Sequence, residues 1–173
     1  MTVEMKRIPG TALSEKDIES GVVLSVQDQL DARYAWDTGV GIGAYLAGLK
    51  RGEILGSYCP TDDLTVVPPR VVCEWCYRPM DSYVRLQDTG RVNTFSLCYV
   101  TWDVQRIEEP EIPAVIEIDG ASPLHGILHK LGEVRPEDVR VGMRVQAVWK
   151  PPHEREGAIT DILYFKPIAE TER

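Results

Sequence analysis

The feature that most constrains this chain is a set of four short-range ligands. Cys59 is followed three positions later by Asp62, and Cys73 three positions later by Cys76, with the ten residues 63–72 between the pairs. A C-x-x-C turn presents two thiolates from one knuckle, and two knuckles that face each other build a tetrahedral site. Zinc takes thiolate, imidazole and carboxylate oxygen, so Cys59, Asp62, Cys73 and Cys76 form a candidate Cys₃Asp set. A closed set of protein ligands suits a structural ion, because a catalytic zinc keeps a position open and a base beside it. Three alternatives stay open at this point. Cys73 and Cys76 could be a redox pair, although no strand-to-helix context of the thioredoxin kind follows them. The site could hold iron, which a carboxylate ligand suits less well. It could also be a metal-free relic with Asp62 on the surface. Cys98 sits in an apolar stretch and reads as a buried small hydrophobe.

The rest of the composition narrows the setting. With 173 residues, 43% of them apolar, the chain is long enough to bury a core without disulfide staples. The formal net charge of −8 opposes binding to DNA, RNA or an anionic membrane surface unless the few cations gather on one face. The first ten residues lack an apolar stretch of signal-peptide length, and no apolar run is long enough to span a bilayer. Clustered cysteines without an export signal predict a metal site in the reducing cytoplasm.

Along the chain, residues 1–25 are polar and irregular, with a short helix able to start at Ser14. Apolar residues at Val26, Leu30 and Tyr34 predict a helix over 26–36. A clearer helix is predicted over 38–50, with Gly39, Gly41 and Gly43 near its start and Lys50, Arg51 and Gly52 at its end. Residues 54–78 read as small strand pieces and tight turns. Beyond them, strands are predicted at 82–87, 91–101, 114–118, 124–130, 143–149 and 159–165, with a helical turn at 135–139 and a loop at 151–153. Five or six short strands with one helical insertion fit a small β-barrel of the OB type.

Some features look functional and have plainer readings. Gly39, Gly41 and Gly43 lack the preceding buried strand and the third-glycine spacing of a dinucleotide loop, so they read as a helix entry or a close-packing surface. His125 and His129 alternate on a predicted strand and read as barrel wall. Trp36, Trp75, Trp102 and Trp149 are scattered, as core or interface anchors are. No nucleophile elbow and no distinct carboxylate pair stands out, so no catalytic residue is assigned.

The run from Leu46 through Lys50 and Gly52 to Cys59 and Pro60, then Val67-Pro68-Pro69-Arg70, then Cys73-Glu74-Trp75-Cys76, resembles one family. So do Gly90–Ser96 at a barrel entry, Ile112–Val115 and Val141–Val145. It is the acyl-CoA-associated family that joins a rubredoxin-like zinc ribbon to an OB-fold and accompanies thiolases and thiolase-like synthases. The resemblance covers about residues 39–167. Asp62 stands where the family has its second cysteine, and Asp63 where it has a glycine.

The resemblance implies a mainly β chain divided into an N-terminal arm with helices (1–53), a zinc ribbon (54–81), an OB-fold (82–168) and a tail (169–173). It implies a structural zinc, and a non-catalytic subunit that docks on a thiolase-type acyltransferase and helps form or bridge its acyl-CoA site. Arg70 and Arg91 could approach the phosphates of coenzyme A. The expected assembly is a cytoplasmic hetero-oligomer without nucleic acid or membrane. Two other readings compete. Ribbons and OB-folds elsewhere bind single-stranded nucleic acid, and a stand-alone metal-dependent thioesterase would use the ribbon zinc.

Overall fold

The computed structural model describes residues 12–23, 26, 35–80, 82–101 and 103–169. The chain divides into two compact units, Met1–Trp36 and Asp37–Arg173. In the first, α1 (Glu15–Glu19) starts where Ser14 predicts it. The Ser14 backbone N–H donates to Asp17 Oδ2 at 2.8 Å, and the Asp17 N–H returns a bond to the Ser14 carbonyl at 3.0 Å. The helix predicted over 26–36 lies largely outside the described residues.

The second unit opens with α2 (Gly39–Arg51). It ends at Gly52, whose φ of 79° is the left-handed conformation that glycine adopts without penalty. Gly41, Tyr45, Gly48 and Leu49 form its buried face, at helical spacing. Two of these glycines are there for proximity. A Cβ on Gly48 would stand 2.8 Å from Leu55 Cγ and 3.0 Å from the Glu53 carbonyl oxygen, and one on Gly41 would stand 3.1 Å from the Pro69 carbonyl oxygen. The close-packing surface read from the sequence therefore serves the chain's own strand and loop.

Three strands form the first sheet, in the order β2-β1-β3: β1 (Ile54–Cys59), β2 (Leu64–Val66) and β3 (Ser82–Leu86), all antiparallel. The β1–β2 hairpin turns through Asp63 at φ 49°, a conformation that Asp tolerates better than most residues. Ser57 is fully buried on β1, and its hydroxyl accepts the Arg70 backbone N–H at 2.9 Å, which pins the Pro68-Pro69-Arg70 loop against the strand.

The second sheet runs β10-β9-β4-β7-β8, from β4 (Thr89–Phe95), β7 (Pro113–Ile118), β8 (Gly126–Lys130), β9 (Arg144–Trp149) and β10 (Ile162–Pro167). Its two edges meet through a parallel bridge between Leu131 and Phe165, where the Gly132 N–H donates to the Phe165 carbonyl at 2.9 Å. The first barrel strand thus pairs with the second and fourth, the fifth pairs with the fourth, and the bridge brings the fifth to the end of the third. That is the connectivity of an OB-fold, with the 3-10 turn Pro136–Asp138 between its third and fourth strands.

Several expectations need correcting. The strand predicted over 91–101 is two strands. β4 bulges between Val92 and Thr94 and ends at Phe95; the chain then leaves the barrel as β5 (Cys98–Val100), which pairs with β6 (Arg106–Glu111) in a separate two-stranded ribbon. Cys98 consequently sits on that ribbon, half-buried rather than in the core. The strand predicted from 124 begins at Gly126, because Leu124 has φ 67° and the His125 N–H closes a turn on the Ser122 carbonyl. His125 and His129 therefore do not share a strand face. The strand predicted from 159 begins at Ile162, after a 3-10 turn over Ile159–Asp161. Of the tryptophans, Trp36 and Trp75 are exposed, and Trp102 lies outside the described residues. Finally, β3 is hydrogen-bonded to β1 and not into the barrel sheet, while its Leu86 joins the barrel core.

That core includes Phe165, Ile116, Val145 and Ile127 with Tyr45 and Leu49 of α2 and Ile54 of β1, so helix, first sheet and barrel share one apolar interior. A second, smaller cluster gathers Cys59, Leu64, Val66, Cys73 and Met80.

Candidate metal centre

The smaller cluster is built around the cysteines. Cys59 is the last residue of β1 and pairs across the hairpin with Leu64, the first of β2. The hairpin turn thereby carries Asp62 back over Cys59. Cys73 and Cys76 lie on a second turn, closed by the Tyr77 N–H on the Cys73 carbonyl at 3.1 Å and by the Cys73 N–H on the Arg78 carbonyl at 2.9 Å. Tyr77 takes a φ of 59° to let the chain leave this knuckle. Met80 donates its N–H to the Val71 carbonyl at 2.9 Å, and its sulfur lies 4.0 Å from the Ser57 hydroxyl of β1.

The two turns bring all four predicted ligands together. One atom from each of Cys59, Asp62, Cys73 and Cys76 lies within 4.8 Å of all the others. Cys59 Sγ and Cys76 Sγ are 3.6 Å apart, and Asp62 Oδ2 is 3.4 Å from Cys59 Sγ and 3.1 Å from Cys73 Sγ. Around a tetrahedral zinc with Zn–S of about 2.3 Å and Zn–O of about 2.0 Å, neighbouring ligand atoms stand about 3.8 Å (S–S) and about 3.5 Å (S–O) apart. These three separations lie close to those values, and the donor set suits such an ion. Cys59 and Cys73 are buried, while Asp62 and Cys76 reach the surface.

The Cys59 and Cys73 thiols lie within hydrogen-bond reach of Asp62 Oδ2, and the Cys59 and Cys76 sulfurs within reach of each other. Hydrogen bonds from the thiols of Cys76 and Cys73 keep the Asp62 carboxyl below the usual carboxylate range. The same bond to Asp62 pushes the Cys76 thiol up to about 12. Burial works to raise Cys59, but backbone N–H donors and the Cys76 thiol outweigh it and leave that thiol lowered. An incoming cation would displace the thiol protons, which is how metal affinity becomes dependent on pH.

The two arginines singled out in the sequence lie outside this cluster. Arg70 is ion-paired to Glu74. Arg91 donates to the Gly142 carbonyl at 3.1 Å from β4. Among the described residues, no hydrogen bond or ion pair links the two. What sequence reasoning missed is the second-knuckle residue Glu74, whose other oxygen stands 3.4 Å from His125 Nε2 and so ties the knuckle to the barrel. A second tie joins β2 to the same barrel loop: the Thr65 N–H donates to Ser122 Oγ, and the Ser122 N–H donates to the Thr65 carbonyl, each at 2.9 Å. Only the folded turn at 121–125 brings His125 and Ser122 near the ribbon, so sequence spacing held no signal for either.

A family described as ChsH2, C-terminal OB-fold domain matches residues 83–150. A DUF35 domain-containing scaffold protein from Methanocaldococcus jannaschii is 30% identical over 122 residues, which span 69% of this chain and 84% of that one. The chain belongs to the DUF35 family. Two solved DUF35 structures share its fold. One, from Sulfolobus solfataricus, superposes with a TM-score of 0.52 at 23% identity, covering 61% of this chain and 75% of the other. The second, the Ltp2–ChsH2(DUF35) aldolase, superposes with a TM-score of 0.57 at 19% identity, covering 78% of this chain and 98% of the matched chain. The family expected from the motifs is thereby met, as is the mainly β architecture with a ribbon-like cysteine cluster and an OB-fold. Among the described residues, no helix is long and apolar enough to cross a membrane.

Proposed function

We propose that this DUF35 chain is a non-catalytic scaffold subunit that docks on a thiolase-type enzyme and helps form or bridge its acyl-CoA site. Its ribbon is closed by one structural zinc on Cys59, Asp62, Cys73 and Cys76. The observation that carries the reading is the kinship with the Methanocaldococcus jannaschii scaffold protein across most of that protein's length. Two further points support it. The OB-fold matches the ChsH2 C-terminal domain, and ChsH2(DUF35) occurs with Ltp2 in the solved aldolase that shares this fold. The four ligands form a closed protein set, which suits an ion that holds a fold together rather than one that binds substrate. In this reading Arg70 and Arg91 are the residues offered to coenzyme A phosphates, Arg70 after release from Glu74.

A second reading, binding of single-stranded nucleic acid, has one observation in its favour. Trp75 and Tyr77 project from the metal knuckle into solvent close in sequence to Arg70 and Arg78. The net charge of −8 weighs against it.

Purification of the tagged full-length chain from cells that make it tests the proposal. The expected result is a stable complex with a thiolase-fold enzyme whose turnover of CoA thioesters falls when this chain is removed. Repeated recovery without any thiolase-fold protein overturns the docking role, and salt-sensitive oligonucleotide binding by the isolated chain would favour the second reading.

A further inference from the structure

The barrel carries a groove on a face that the metal centre does not use. It lies between β8 and the segment 159–163 that leads into β10, with a volume of about 480 Å³. Leu128 of β8, Ile159 and Leu163 stand along it, all exposed, at 67%, 43% and 38% of their full surface, and buried Ile162 lies beneath. Three large aliphatic side chains gathered at one concave site differ from the isolated surface leucine that any protein carries.

The polar groups of the groove sort into wall and rim. His129 is wall. Its Nδ1 accepts the Lys130 backbone N–H at 2.9 Å, so its proton sits on Nε2, which donates to the Ile159 carbonyl at 3.3 Å. Its ring meets Phe165 edge-on at 5.7 Å. Lys130 and Lys150 line the rim. Lys130 makes no ion pair among the described residues. Lys150 Nζ is 4.0 Å from Asp161 Oδ1 and donates to Thr160 Oγ1 at 3.5 Å; the Asp161 carboxylate also accepts the N–H groups of Glu156, Gly157 and Ala158 at 3.0, 2.7 and 3.1 Å. Among the described residues no carboxylate lines the groove, in a chain with 27 acidic side chains. The groove also occupies the third-strand face and the loop between the fourth and fifth strands, a region where barrels of this type bind oligonucleotides and oligosaccharides. It has no aromatic platform other than the histidine ring, which a single-stranded nucleic acid would need.

We propose that this groove binds a free anionic amphiphile. The apolar chain lies along Leu128, Ile159 and Leu163, and the terminal carboxylate or phosphate meets Lys130 and Lys150. The site requires neither a partner subunit nor a metal, so it stands or falls apart from the scaffold role.

Calorimetric titration of the full-length chain with decanoate and decyl phosphate, below the concentrations at which they form micelles, tests it. Decanol serves as the uncharged control. Saturable one-to-one binding of both anions, with decanol weaker, is expected. Leu128→Asp and Lys130→Glu should each weaken binding about tenfold or more, with circular dichroism and melting unchanged. Should Leu128→Asp disturb the fold, Lys130→Glu alone still decides, since that side chain is exposed. Absence of saturable binding up to about 1 mM, or equal binding by Lys130→Glu, overturns the proposal. So does binding only to vesicles of anionic phospholipid, or only to an oligothymidylate.

Discussion

At the residue scale, the charged groups that matter are those whose partners are fixed. Asp119 sits where barrel strands β4 and β9 converge, with Arg144 Nη1 at 2.8 Å from Oδ1, Arg144 Nη2 at 2.6 Å from Oδ2, and the Thr89 hydroxyl beside it. The Arg144 bond, aided by Thr89, holds its carboxyl below the ordinary range despite some burial. A carboxyl depressed in the folded state stabilises the fold above its unfolded pKa, and that contribution disappears as pH falls through the folded value. Wild type should therefore exceed Asp119→Asn by about 1 kcal/mol at neutral pH, given the part-exposed pair. The gap should close in acid, which urea titrations at pH 7 and below pH about 3 will reveal. Neither Asp119 nor its partner was legible beforehand. They lie 25 residues apart, and only barrel pairing makes them neighbours. The candidate ligands were legible for the opposite reason: each pair is local, and a short turn needs little else to aim two side chains at one point.

At the element scale, α2 shows which glycines are there for packing and which are not. Gly48 is pressed on Leu55 and Glu53, whereas a Cβ on Gly43 would meet only Thr38 Oγ1 at 3.4 Å. Alanine gains up to about 1 kcal/mol over glycine in a helix interior. Gly43→Ala should keep most of that gain and raise the urea midpoint. Gly48→Ala should lower the midpoint, at a cost of about 1–3 kcal/mol in stability through overpacking, and equal effects of the two would contradict the helix–strand contact. The helix itself was readable from its apolar spacing and its Gly52 stop. The β5–β6 ribbon was not, because Glu108, Glu109 and Pro110 carry the composition of a loop. A strand whose side chains mostly face water loses the alternation that sequence reading depends on.

At the scale of the whole molecule, the two apolar clusters differ in what holds them. The large one joins α2, β1 and the barrel through residues such as Leu49, Ile54 and Phe165. The small one is five residues, two of them cysteines of the candidate centre. A cluster of that size does not offset the chain entropy of its own loops, so with the proposed zinc, metal binding and local folding would be one equilibrium. Chelation of the purified protein should accordingly raise hydrogen exchange of amides over 59–80 by orders of magnitude while the β7 and β9 amides stay protected. Exchange unchanged in both regions would mean that the ribbon folds without an ion. The OB connectivity emerged from strand count and the single helical turn, whereas the barrel's closure at Leu131 and Phe165 joins residues 34 positions apart and left no local sequence signal.

The placement of β3 has a consequence for how such a molecule can be inherited or taken apart. Ser82–Leu86 gives its backbone to β1 and its Leu86 to the barrel interior. A barrel separated from the ribbon at this strand would carry Tyr83 and Val84 on a bare edge, open to pairing with any other exposed strand. A ribbon separated there would lose one side of its sheet. Recombination that shuffled the two modules independently would leave both halves sticky, so the pair travels through evolution most safely as a single piece.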